Sequence, residues 1–225
     1  MMINPSIPPV RSIETPGFKE RHSLAVRIWH WIFFLAIAAS LVTVLLNATV
    51  FKARNNIGMV QQQLQEKGIS VSADQARGVA HEFSDKLWNI HKIIGYVLGG
   101  LLLVRILLEF IQPRDEKLRI KLRRALNFIP HSPKEKEGKR HYTWVKWGYV
   151  VFYFLILVMA LTGLGLAFED APFLKVWQRS IRNVHSFNQY LLYGYMLLHI
   201  GGVIVADISD HPGLVSGMIN GKERA

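Results

Sequence analysis

The sequence predicts an all-α integral membrane protein built as a bundle of four transmembrane helices. Three observations carry this expectation. Half of the 225 residues are hydrophobic (50%), and the mean hydropathy is positive at +0.19. The apolar residues are gathered into four runs, at about 24–46, 87–110, 143–168 and 184–208. Each exceeds the roughly 20 residues that an α-helix needs to cross a hydrocarbon core about 30 Å thick. Most of the charged residues lie in the segments between the runs, so the chain reads as a single membrane domain over residues 1–225.

Composition narrows the chemistry. The sequence contains no cysteine. That excludes disulfides, thiolate zinc sites, iron–sulfur clusters and covalent c-type haem attachment by this chain. A redox centre here must rest on histidine, methionine or carboxylate ligands. The formal net charge of +11 would suggest nucleic acid in a soluble protein. In a membrane protein it points to one basic face against anionic lipid, and no nucleic-acid partner is expected.

Taken in order, residues 1–23 carry three prolines before Val10 and no apolar core. They read as a polar lead-in, with a short interfacial segment near Phe18, and not as a signal peptide. Span one, LAVRIWHWIFFLAIAASLVTVLL, places His30 between Trp29 and Trp31 in its first turns. That motif is either an aromatic belt at the interface or a ligand set just below it. Residues 47–86 form a nearly neutral connection with a helical middle, and AHEFSDKLWN leads amphipathically into span two.

Span two, LWNIHKIIGYVLGGLLLVRILLEF, carries His91 near its start and Arg105 fourteen residues later. Arg105 is a candidate partner for an anionic group at the opposite surface, or a snorkelling arginine. Residues 111–142 hold ten Lys/Arg against four acidic residues and read as a cytoplasmic basic loop. Span three has no histidine. Lys146 and Trp147 anchor its start, and Thr162-Gly163-Leu164-Gly165 marks its other end. After a short connection comes span four, and Pro212 prevents its helix from continuing through the tail.

Span four organises the rest. It carries His185 and His199, fourteen residues apart. That spacing ends about 40° short of four full turns, so both imidazoles share a face, roughly 21 Å apart along the axis. Ionisable residues inside a span are functional candidates by default.

Topology follows from the basic residues. Sixteen Lys/Arg fall on the side of the N-terminus, the 111–142 loop and the tail, against eight in the other two loops. Both termini and the 111–142 loop are therefore expected in the cytoplasm. With this orientation the histidines pair by depth: His30 with His199 near the inner surface, His91 with His185 near the outer. Two imidazoles facing one another suit a low-spin b haem, and each depth offers too few ligands for zinc. The expected architecture is thus a four-helix bundle with two haem b groups stacked across the bilayer. Interfacial or packing histidines are the plainer alternative.

VRIWHW in span one, IHKIIGY followed by LLLVRI in span two, and His185, His199 and Gly217-Met218-Ile219-Asn220-Gly221 complete a recognisable pattern. On these residues the chain resembles the bacterial cytochrome b561 and nickel–iron-hydrogenase b-type cytochrome family. Within it, the likeness is greatest to the cytochrome b subunit of uptake hydrogenases. Formate dehydrogenase cytochrome b subunits are similar in plan. The resemblance implies two b haems ligated by His30, His91, His185 and His199. It also implies an iron–sulfur subunit of hydrogenase type on the outer face as donor, and membrane quinone, menaquinone or ubiquinone, as acceptor. The chain would then be the electron-transfer subunit of an oxidoreductase complex, with Arg105 near a haem propionate or a quinone oxygen. Two alternatives share the four helices. One is a stand-alone cytochrome b561 exchanging electrons between quinone and a small oxidant such as superoxide. The other is a haem-free membrane anchor or assembly scaffold.

Overall fold

The structure, a computed structural model, describes residues 24–111, 117–208 and 213–221. Phe18, His22, Arg114 and Pro212 lie outside the described residues. In chain order the helices are α1 (Leu24–Thr49), α2 (Ala53–Gln65), α3 (Ala73–Ile111), α4 (Leu118–Asn127), α5 (Pro133–Ala167), a 3-10 turn (Lys175–Trp177), α6 (Gln178–Ile208) and α7 (Leu214–Asn220). No strand occurs among the described residues. Four of the helices, α1, α3, α5 and α6, are long and apolar enough to span a membrane.

Two of these begin well before the apolar runs within them, and local chemistry explains why. Ser72 and Gln75 form a capping box at the start of α3. The Gln75 N–H donates to Ser72 Oγ (3.2 Å), and the Ser72 N–H donates to Gln75 Oε1 (2.8 Å). At the start of α5 the Glu135 N–H donates to Ser132 Oγ (3.2 Å), with Pro133 in the first helical position. Orphan N–H groups at both ends are thereby satisfied, and the helices extend into the aqueous connections. The segment at 47–86 and the described residues of 111–142 are largely helical.

The chain divides into two units, and the long helices contribute to both. The first holds residues 25–104 and 157–189. Phe33, Ile37, Thr43 and Asn47 form the buried stripe of α1. Trp29 Nε1–H donates to the Leu101 carbonyl of α3 (3.2 Å), and Ser84 Oγ–H donates to Asn47 Oδ1 (2.8 Å), so α1 and α3 are tied near both ends. At the end of α5, small residues let α6 approach. A Cβ on Gly165 would meet Ile181 at 3.2 Å. Gln178 Nε2–H donates to the Gly165 carbonyl (3.0 Å). The outward side chains are apolar. Leu35, Leu45, Ile93 and Leu103 remain 59–63% exposed, the pattern of a surface meant for lipid.

The second unit holds residues 105–156 and 190 onward. Leu155, Ile156 and Leu192 are buried in it. Lys139 Nζ donates to the Leu126 and Phe128 carbonyls (3.0 and 2.7 Å), satisfying the end of the basic helix α4. Lys146, expected as a surface anchor, is instead 5% exposed. Its ammonium lies over the rings of Tyr142 and Tyr149, at 4.8 and 5.2 Å from their centroids. Cation–π attraction accounts for a buried cation at that place. Asp207, in the last turn of α6, accepts from the Gly213 and Val215 N–H groups (3.0 and 3.1 Å) and so caps α7. Gly213 itself has φ +98°, a left-handed conformation that suits glycine.

Candidate bis-histidine site

His91 on α3 and His185 on α6 meet inside the first unit. Their ring centroids are 6.5 Å apart and their planes cross at 85°. Each ring is held on its Nδ1 side by a threonine from a helix that supplies no histidine to this pair. The Nδ1–H of His91 donates to Thr43 Oγ1 on α1 (2.9 Å), with Ser40 Oγ further off at 3.4 Å. The Nδ1–H of His185 donates to Thr162 Oγ1 on α5 (2.8 Å).

The direction of these bonds follows from counting hydrogens. A threonine hydroxyl has one proton. Thr43 gives its proton to the Ser40 carbonyl (2.6 Å), and Thr162 gives its own to the Val158 carbonyl (2.6 Å). Each oxygen can then only accept, so each imidazole must carry its proton on Nδ1. Nε2 is left with a lone pair in both rings, the form in which a neutral histidine binds a metal. Two further contacts fix the rings. Trp88 stands edge-on to His91, with centroids 5.4 Å apart at 90°. Gly163 lies against His185, and a Cβ there would stand at ordinary contact distance, 3.4 Å from Cε1.

The donor set can be tested against a b haem. With metal–imidazole bonds of about 2.0 Å and centroids roughly 1.2 Å behind the nitrogens, two axial imidazoles place their centroids about 6.4 Å apart. The observed 6.5 Å agrees. Crossed planes are compatible, because an axial imidazole can turn about its bond to iron. Among the described residues no group of three or more His, Cys, Asp or Glu side chains could hold a metal ion, which a zinc centre would need.

The remaining candidates lie elsewhere. His30 belongs to the first unit, edge-on to Trp31 with centroids 5.6 Å apart. Its other neighbour, Trp29, stacks on Phe33 (4.8 Å) and bonds to α3, so it packs between helices and is not a free belt residue. His199 belongs to the second unit, where it stacks on Tyr195 (6.2 Å, 9°), which in turn stacks on Phe152 (5.1 Å). Arg105 is also in the second unit. Its Nε–H donates to the Tyr153 hydroxyl (3.1 Å), and Nη1 pairs with Glu109 Oε2 at 3.4 Å. At 19% side-chain exposure it is folded against these partners and does not reach outward as a snorkelling arginine does.

Sequence reasoning missed Thr43, Thr162 and Gly163. A usable signal existed. In the expected topology each threonine falls at the outer end of its span, at the depth of the outer histidine pair.

Four helices long and apolar enough to cross a membrane, with two imidazoles 6.5 Å apart inside one unit, fit the class of membrane cytochromes b. The sequence profile of prokaryotic cytochrome b561 matches residues 21–221, nearly the whole chain. The chain belongs to the prokaryotic cytochrome b561 family, membrane electron-transfer proteins that bind b-type haem. No curated protein and no solved structure gives a significant match.

Proposed function

We propose that the chain is the membrane subunit that carries electrons from an iron–sulfur partner on the outer face to membrane quinone, with two b haems in bis-histidine sites. The partner in this reading is an uptake nickel–iron hydrogenase, and the acceptor is menaquinone or ubiquinone. The observation that supports it most is the His91–His185 pair, 6.5 Å apart, with both Nδ1 atoms engaged by threonines. His30 and His199 are assigned to the second haem by their depth in the sequence. The excess of Lys/Arg on one side supports an inner-membrane chain with cytoplasmic termini.

A haem held by two histidines supplies one-electron exchange at an iron with no open coordination position. The protein's own residues bind and orient. His91 and His185 present their Nε2 lone pairs, while Thr43 and Thr162 hold the tautomers. Arg105 offers a guanidinium, braced by Tyr153 and Glu109, to a propionate or a quinone oxygen at the inner end of α3.

The test has two parts. A reduced-minus-oxidised spectrum of the purified chain, with a haem count, should show two b haems. Deletion of the chain should then abolish hydrogen-dependent quinone reduction in membranes. Two haems with unchanged hydrogen-dependent activity would sink the hydrogenase assignment and favour the stand-alone cytochrome. A haem-free protein would leave the scaffold reading.

A further inference from the structure

We propose that Thr43 and Thr162 are positioning residues that lock His91 and His185 as Nδ1–H tautomers with crossed ring planes. They thereby set the electronic state of the iron that these histidines hold. The inference rests on the reading that this pair ligates a haem, and it concerns residues from helices that give that haem no ligand.

A lone histidine on a helix can turn about its side-chain torsions, and its proton can sit on either nitrogen. Here both freedoms are removed on both sides. Thr43 and Thr162 each spend the hydroxyl proton on a carbonyl of their own helix, at 2.6 Å. The oxygen is thus fixed in place and obliged to accept. The imidazole N–H then reaches it at 2.9 Å on one side and 2.8 Å on the other. The Nδ1–H···O direction fixes where each ring plane lies. Trp88 packs edge-on against His91 in this arrangement. The outcome is an 85° crossing.

Ring crossing has a physical consequence for a low-spin ferric iron. Parallel imidazole planes interact with one of the two π-type d orbitals and split them. Perpendicular planes interact with both almost equally. The pair stays nearly degenerate, orbital angular momentum is retained, and the electron paramagnetic resonance signal becomes highly anisotropic, with one g-value at very low field. The accepting threonines also make each imidazole a better electron donor, which favours the ferric state.

The experiment uses the full chain with its haem, oxidised and frozen. His91→Ala identifies which signal belongs to this site. The parent should show the low-field signal for it. Thr43→Val or Thr162→Val should convert that signal to a less anisotropic one, raise the midpoint potential of that haem, and weaken haem retention about 10- to 100-fold. Thr43→Ser and Thr162→Ser should restore all three, since the hydroxyl and not the methyl is the working group. The proposal is overturned if the valine variants keep the parent g-value and potential, or if the parent signal is that of parallel planes. Should a valine variant lose that haem altogether, its serine counterpart decides. Retention of the low-field signal supports the lock, and loss refutes it. A parent with no haem at this site would instead overturn the functional reading beneath it.

Discussion

The imidazoles of His91 and His185 cross at 85° with their centroids 6.5 Å apart. Two helices that are far from consecutive in sequence have brought these rings to the separation that a single metal ion bridges. Edge-on aromatic packing also spans centroid distances of about 4.5–7 Å, so it is the threonine bonds to both Nδ1 atoms that single this pair out.

The first prediction concerns ligation. His91→Ala and His185→Ala should abolish the same haem and leave the other. The haem count falls from two to one in each, and the double variant does no further damage. Visible difference spectra with a pyridine haemochrome count read this directly. If the two variants removed different haems, the pairing would be wrong.

Close packing of α5 on α6 gives a second. Gly165→Val should press on Ile181, already 3.2 Å from where a Cβ would stand. Overpacking of this kind costs about 1–3 kcal/mol. The thermal midpoint in detergent should fall. A midpoint equal to the parent's would show that Ile181 yields freely.

The Arg105–Glu109 pair supplies a third. Glu109→Gln leaves the guanidinium with Tyr153 but without its counter-charge, and for a part-buried pair the cost lies between the ~0–1 kcal/mol of an exposed pair and the ~3–5 kcal/mol of a buried one. Both side chains are more than two-thirds buried, at 19% and 29% exposure. Arg105→Met combined with Glu109→Gln should recover much of the loss in thermal stability. The double variant should also slow quinone reduction if Arg105 meets the acceptor. Full activity in a stable double variant would remove Arg105 from the site.

At the far end of α3, Ser72→Ala should break the capping box and cost about 0.5–2 kcal/mol. Hydrogen exchange should rise in residues 73–77, while the haem spectrum stays as in the parent. A change in the spectrum would mean that this end of α3 is coupled to His91.

The four spans were legible because apolar runs of membrane length have few alternative fates. The meeting of His91 and His185 was legible because an ionisable ring at depth is costly unless it is used, which makes each a candidate. The early starts of α3 and α5 were not read from the sequence, although Ser72–Gln75 and Ser132–Glu135 have the spacing of a capping box. The threonines were harder. A threonine inside a span ordinarily bonds back to its own helix, and Thr43 and Thr162 do so. Their second bond crosses to another helix, and only tertiary structure reveals that. Lys146 was misjudged for a related reason. Its two tyrosines, at positions 142 and 149, lie about one turn to either side along α5, yet a lysine at the start of a span ordinarily reads as an interfacial anchor.

Helix α5 gives the His91–His185 pair no histidine, yet Thr162 on it bonds the His185 ring. On the proposed reading, a substitution at 43 or 162 moves the potential of the haem and loosens it while both histidine ligands stay in the chain. Engineers who want a different potential can begin at the two hydroxyls and leave the histidines untouched.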